Sequence, residues 1–439
     1  MAHPPLNLIW GAIPTAYQFG GVVATPLVMA GAGLILLVFS IGYNGMARRV
    51  SDRGGMSAFI ARGLGPLAGA GSSAVAVLSY TALSTSLLVI LGGSARRLIA
   101  SLFGVQVPVV LCVFLGGCVA AGLTRLLLRT LVRVLLAVGV VQTALVLWFD
   151  VMAVGHPADG DVSFAALDPA WLLSGSLGVA IAFAMSSFVG SETGASYADD
   201  VEDPRRSIPR ATVLSYVLTT VALVVSAWAI SVAVGGEQIV VAAKGQLDSQ
   251  TAGQGAPFAL SVLLRLVGSD HAALVVDLFA SALVLGCLTS CTTQAHASAR
   301  QLPARSWTSL AASAVAGALA LTAVAAGSSN VVVYLVLTSG LGVAGLLMLT
   351  SLSTIVWFLR ADDSEAGFFG WEGKVVAAGF SMVTIGFVFF YGLYRLPREV
   401  PHGDAYGWTL WAAPIVAFAV GIGLRLARGS VQISHSQRL

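Results

Sequence analysis

The stretch Leu173–Ala211, LSGSLGVAIAFAMSSFVGSETGASYADDVEDPRRSIPRA, decides how the rest of the chain is read. It opens as an apolar helix and then meets Val189-Gly190-Ser191-Glu192, a polar, glycine-containing interruption at what should be membrane depth. A second short helix leads into the charged loop Asp199–Arg206, and Pro209 is expected to start the next span. A carboxylate inside an apolar span costs about 2.5–3.5 kcal/mol on insertion scales. Two readings follow. In one, the glycine kinks the helix and neighbouring helices satisfy Glu192. In the other, the helix is broken and its ends face a cavity, since irregular backbone at this depth is tolerated only in protein or beside water.

The rest of the composition agrees with a membrane setting. Hydrophobic residues make up 57% of the 439 residues and charged ones 10%, with a mean hydropathy of +0.88. A soluble domain cannot hide that much apolar surface, so the expectation is an all-α integral membrane protein. The net charge of +3 gives no case for nucleic acid. Cys112, Cys118, Cys287 and Cys291 lie inside apolar runs and read as small packing residues rather than disulfide partners. No metal-ligand spacing, phosphate-cradling loop or nucleophile elbow is present, so neither a cofactor nor an enzyme is expected.

Twelve spans can be laid along the chain. The first, Leu6–Val23, is short and carries Pro14 and Gly20-Gly21. Then come Pro26–Ala47, a long helix within Pro66–Phe103, Pro108–Leu123, Leu126–Phe149, the interrupted Trp171–Ser196, and Ile208–Val234. After a non-span segment, Gly235–Asp270, follow Ala272–Ala299, Trp307–Ala326, Val331–Leu359, Val375–Leu396 and Trp408–Leu426. That non-span segment holds a polar, glycine-rich piece, Lys244–Gly255, and a surface helix, Pro257–Val267. Most spans match the ~20 residues needed for a ~30 Å hydrocarbon core. With the amino terminus inside, seventeen of the 23 basic residues fall on the cytoplasmic side. The positive-inside rule then favours both termini in the cytoplasm of a multi-pass protein of the cell membrane.

The run Ser187-Phe188-Val189-Gly190-Ser191-Glu192, then Asp199-Asp200-Val201-Glu202-Asp203-Pro204-Arg205-Arg206 and Ile208-Pro209-Arg210-Ala211, resembles the sixth span and following loop of amino acid–polyamine–organocation (APC) superfamily permeases. A second region is similar to the end of the second span and the first cytoplasmic loop of those permeases. It reads Phe39-Ser-Ile-Gly-Tyr-Asn-Gly-Met-Ala-Arg48-Arg49-Val, then Gly54-Gly55, then Ala61-Arg62-Gly-Leu-Gly-Pro66. There Arg48, Arg49 and Arg53 would anchor the cytoplasmic face while Gly54-Gly55 lets a short helix lie along it. The resemblance implies two inverted five-helix repeats with broken spans 1 and 6, over residues 1–149 and 171–359, followed by two carboxy-terminal helices over 375–426.

The chain departs from that pattern in three places. Pro4-Pro5-Leu6-Asn7-Leu8 lies where the first span should break, with only Met1-Ala2-His3 before it, so the first half-helix is expected to be missing from the chain as given. The segment Ala299-Arg300-Gln301-Leu302-Pro303 is a compressed form of a longer loop. Gln142 stands where relatives carry Glu or Lys; it reads as an interhelical hydrogen bond before it reads as a coupling residue.

The resemblance also implies a site. Unwound backbone at Pro5, Leu6, Asn7 and Leu8 would offer N–H groups to a carboxylate, while carbonyls around Ser186, Ser187, Phe188, Val189, Gly190 and Ser191 would accept an ammonium. Phe188 would act as a gate or as packing, and Ser79, Tyr80 and Ser84 would face the cavity from the third span. Thr338 and Ser339 are weaker candidates. Glu192 and Gln142 would serve gating or coupling, and Thr289, Ser290, Thr292 and Thr293 either back-bond to their own helix or form an oxygen site for Na⁺. His296 reads as packed or solvated. The function expected is secondary active transport of an amino acid or related amine by alternating access, coupled to H⁺ or Na⁺ or to exchange, with membrane lipid as the surrounding partner. The alternative is a transport-incompetent receptor or partner subunit that keeps the permease fold.

Overall fold

A computed structural model describes residues 5–49, 55–126, 128–251, 258–268, 271–302, 308–325, 331–360, 370–399 and 412–427. The described residues are mostly helical, with no strand among them. Lipid offers no hydrogen bonds to backbone, so a chain this apolar satisfies its own N–H and C=O groups locally.

In chain order, α1 covers residues 5–20, α2 Thr25–Ala47, α3 Met56–Leu64, α4 Pro66–Phe103, α5 Val109–Leu123 and α6 Leu128–Gly155. Next come α7 at Leu177–Ser186, a 3₁₀ segment at Ser191–Asp200, α8 at Pro204–Val234, α9 at Ile239–Thr251 and α10 at Phe258–Val267. The chain continues through α11 at Ala272–Arg300, α12 at Thr308–Ala325, α13 at Val331–Arg360, α14 at Gly370–Glu399 and α15 at Ala412–Ala427. Nine helices among the described residues are long and apolar enough to cross a membrane, counting α7 together with the 3₁₀ segment. The expected first, fourth and last spans correspond to the shorter α1, α5 and α15.

The buried fraction sorts these helices into an inner and an outer set. The most apolar window of α4 is 67% buried and that of the interrupted span 72%, whereas those of α6 and α12 are each 17% buried. α4 therefore forms the axis, packed on α11 and α13, while α2 packs on α8. Outward side chains such as Leu136, Val151, Val376 and Phe387 form the apolar surface a bilayer would cover. Inside, small residues allow close approach in place of hydrophobic driving force. A Cβ on Gly20 would sit 2.7 Å from the Ala180 Cβ, so the end of α1 touches the start of α7 backbone to backbone. The Ser176 N–H donates to the Gly20 carbonyl at 2.8 Å, and the Val23 N–H donates to Ser174 Oγ at 3.0 Å.

Several expectations are corrected. Residues 5–20 are not unwound: α-helical turns at Pro5–Asn7 and Ile13–Thr15 alternate with π turns at Leu8–Ala12 and Ala16–Gly20. Pro5 reads as a breaker, yet proline also suits the first turn of a helix, where its missing N–H has no partner to lose. The broken span starts at Leu177, not Trp171, because Pro169–Leu173 forms a separate 3₁₀ turn. Its second half is 3₁₀ rather than α. α8 begins at Pro204, with Pro209 inside the helix instead of starting it. α6 continues past Phe149 to Gly155, and α14 extends beyond both expected ends of its span. The piece from Lys244 to Thr251, expected as a polar loop, is helical as part of α9. α10 buries Phe258, Val262 and Leu263 against the bundle rather than lying free. The expected α3 is present, entered through Gly55 at φ +55°. Met1–Pro4, Arg53, Gly54, Gly255, Pro257, Pro303, Trp307, Ala326 and Trp408 belong to sequence expectations but lie outside the described residues.

Candidate functional site

The interruption lies between α7 and the 3₁₀ segment. α7 ends in a run of turns: the Phe188 N–H donates to the Met185 carbonyl at 3.1 Å, and the Val189 N–H to the Ser186 carbonyl at 3.2 Å. Gly190 then adopts φ +98°, a conformation that L side chains rarely take. The helix is therefore broken here, not merely kinked.

Glu192 closes the break. One carboxylate oxygen accepts from the Gly190 N–H at 2.8 Å, and the other accepts from the Tyr80 hydroxyl at 3.1 Å. Tyr43 donates to the Glu192 carbonyl at 2.8 Å. Gly190 is the residue flanking the start of the 3₁₀ segment, so Glu192 reaches back to the N-terminal donor much as a capping-box glutamate does. The carboxylate thus bonds a donor just before the second half-segment. Because Tyr43 lies on α2 and Tyr80 on α4, three elements converge on this one residue, which is 2% exposed.

The surrounding residues are closely packed. Ser186, Ser187, Phe188, Val189 and Gly190 are buried, while Ser191 is half-buried. Ser186 and Ser187 both donate to the Phe183 carbonyl, and Phe188 lies 6.2 Å from the Tyr216 ring. Beside Ser186, between α7, α13 and α14, only about 10 Å³ of free space remains. That is roughly the room one water requires. An amino acid would need these helices to separate.

The other expected residues are distributed around α1. The Leu6 N–H donates to Gln142 Oε1 at 3.4 Å, and Gln142 Nε2 donates to the Ala282 carbonyl at 2.6 Å. Gln142 is therefore the interhelical bridge its residue type suggested, joining α1, α6 and α11. Asn7 Oδ1 faces the Cys287 thiol at 3.9 Å, while its buried Nδ2 has no hydrogen-bond partner. Pro5 and Leu8 are buried within the helix. Ser79 donates to the Val75 carbonyl in its own helix. Thr289, Thr292 and Thr293 likewise donate to carbonyls of their own turns. Of the expected residues, Tyr80, Gly190 and Glu192 are joined directly, whereas Pro5–Leu8 and Gln142 form a separate cluster and the α11 hydroxyls join neither through a described hydrogen bond.

Two groups were missed from the sequence. Asp150, on the last turns of α6, is 5% exposed; its Oδ2 accepts from Ser226 at 2.9 Å and its Oδ1 has no partner. It immediately follows Phe149, the expected end of the fifth span, and lies inside the helix because that helix runs on to Gly155. The next residue after Ser226, Ala227, accepts from the Tyr17 hydroxyl of α1 at 3.0 Å, so this carboxylate adjoins the contact that holds α1 on α8. The second missed group is Arg300, at the end of α11. It donates to the Ser196 carbonyl at 2.6 Å, pairs with Asp200 at 2.5 Å and stacks 4.3 Å from the Tyr197 ring. One guanidinium thus holds the last turn of the interrupted span, from Ser196 to Asp200. Beside it, Ser57 on α3 is hydrogen-bonded to Gln301.

Comparisons with models of known protein families and with curated proteins gave no match to the chain.

Proposed function

We propose that this protein is a secondary active transporter of an amino acid or related amine, working by alternating access in the cell membrane with both termini in the cytoplasm. The observation that carries the reading is the break at Ser187–Gly190, closed by the Glu192 clamp. With the clamp closed, the N–H groups of the break are bonded within it or to Glu192, and opening it would free helix-end groups of the kind a zwitterion needs. Its resemblance to APC superfamily permeases rests on the same residues. The pairing of α2 with α8 and of α4 with α11 is what interlocked five-helix repeats would give, and supports a twelve-span, two-repeat arrangement.

In this mechanism Glu192 holds the break shut against α2 and α4, while Arg300 holds the 3₁₀ half from the cytoplasmic side. Exposing the site inward would require Arg300 to release Ser196 and Asp200. Glu192 and Asp150 are the membrane-depth carboxylates through which a proton gradient would act; exchange and Na⁺ coupling are the other driving forces compatible with the fold. No covalent step is involved.

The test is a thermal-shift screen of the purified protein against amino acids and amines. A ligand that prefers the folded state must stabilise it by RT ln(1 + [L]/Kd). The expected result is a concentration-dependent upward shift with at least one amino acid or amine, abolished in Gly190→Val. A shift that persists unchanged in Gly190→Val would move the site away from the break.

A further inference from the structure

A second cavity, lined in part by Trp10 of α1, lies at the end of the bundle that the charge pattern assigns to the outside. It offers about 250 Å³ and is half open, with Arg97 exposed and Asp277 half-buried. Four elements build it, two of them through a coherent helix face. Ser94, Arg97, Leu98 and Ser101 are spaced as one side of α4, and Ala273, Val276, Asp277 and Ala280 as one side of α11. Leu260 and Leu264 come from α10 and Trp10 from α1.

The charges in this cavity do not neutralise each other. Arg97 has no ion-pair or hydrogen-bond partner among the described residues, and the Asp277 carboxylate accepts only from Ser101 among them, at 2.8 Å. A guanidinium and a carboxylate thus line the same small space while remaining unpaired. Leu98, Leu260, Leu264, Val276 and the Trp10 ring supply apolar wall between and around them. Ligand sites combine apolar lining with a few polar groups that fix orientation, and drug-sized ligands occupy about 300–1,000 Å³. This cavity lies below that range and suits a single small molecule with opposite charges close together and an apolar body.

We infer that this cavity binds one free α-amino acid with an apolar side chain, its carboxylate on Arg97 and its ammonium on Asp277. The site is separate from the break at Ser187–Gly190: no residue of that break lines it. Its ligand class is taken from the transport reading, and the site would hold substrate at the outer end before the central break opens. Arginine matches a carboxylate through its planar fork of donors, and both contacts would be charge-assisted.

The test is equilibrium dialysis of radiolabelled L-leucine against the full chain in nanodiscs. The wild type is expected to bind leucine at two sites. Arg97→Gln and Asp277→Asn should each weaken one of them about tenfold or more, the loss of one charge-assisted contact. Arg96→Gln serves as the control for general surface charge, since Arg96 lines a neighbouring opening and not this cavity, and it should leave both sites intact. Leucinol, which lacks the carboxylate, and 4-methylpentanoate, which lacks the amine, should not compete at the outer site. Gly190→Val should remove only the other site. If one site is found, lost in Arg97→Gln but kept in Gly190→Val, the outer site stands and the central reading falls. If leucine fails to bind, or if binding is unaffected by Arg97→Gln and Asp277→Asn, the inference is overturned.

Discussion

Glu192→Ala is the perturbation whose cost the structure specifies most fully. It deletes the acceptor of two buried donors, the Gly190 N–H and the Tyr80 hydroxyl, while leaving the Tyr43 bond to the backbone carbonyl in place. A buried donor left without a partner costs about 1–3 kcal/mol, so the two together predict about 2–6 kcal/mol. Tyr80→Phe is the contrasting change. It removes one donor, but the carboxylate keeps the Gly190 N–H, so the loss should be near the ordinary net value of about 0.5–1.5 kcal/mol. The double variant should cost about 1–3 kcal/mol less than Glu192→Ala alone, because Tyr80→Phe removes the hydroxyl that Glu192→Ala leaves orphaned. Reversible denaturation in detergent, with all four proteins measured under one condition, gives the cycle. The reasoning is refuted if Glu192→Ala is no less stable than Tyr80→Phe, or if the two losses simply add. Either result would mean that water or another helix serves these donors and that Glu192 does not close the break.

Further expected outcomes address the other parts of the account. Gly190→Val should cost about 1–2 kcal/mol or more, since a β-branched residue at φ +98° is strained; unchanged stability and binding would show that the turn reshapes freely. Arg300→Gln removes the charge over Tyr197 and the pair with Asp200, and should raise labelling of a cysteine placed at Ser196 from the cytoplasmic side; equal labelling would rule out a latch. Asp150→Asn keeps an acceptor for Ser226, so stability should change by about 1 kcal/mol or less. Uptake driven by a proton gradient should be lost in that variant, and fully gradient-driven uptake would exclude Asp150 from coupling. Cysteines at the exposed positions Arg205 and Val105 should be labelled from the inside and the outside of intact cells respectively; the reverse pattern would overturn the orientation.

The multi-pass helical architecture was legible because apolar runs of the required length are a strong periodic signal, and most helix positions follow those runs. The break was legible for the same reason: Gly190 and Glu192 stand out only because Ala180–Met185 and the spans around them are so apolar. What the sequence could not supply was the identity of long-range partners. Tyr80 lies 112 positions from Glu192, and Arg300 100 positions from Asp200, so neither contact has a local signature. Asp150 lay just outside the apolar run that set the expected span; the helix continues past it and buries the carboxylate against Ser226. The expected unwinding at Pro5–Leu8 failed because proline both breaks helices and begins them. The spacing alone could not separate the two uses.

The central claim is that the break binds and moves a small amine-bearing substrate across the membrane. Its most direct test is time-resolved uptake of a pool of radiolabelled amino acids and polyamines into proteoliposomes preloaded with the same unlabelled pool. The account predicts accumulation above protein-free liposomes for the wild type, and none for Gly190→Val reconstituted at the same density. Uptake by the wild type no greater than that of empty liposomes, or equal uptake by both proteins, would contradict it.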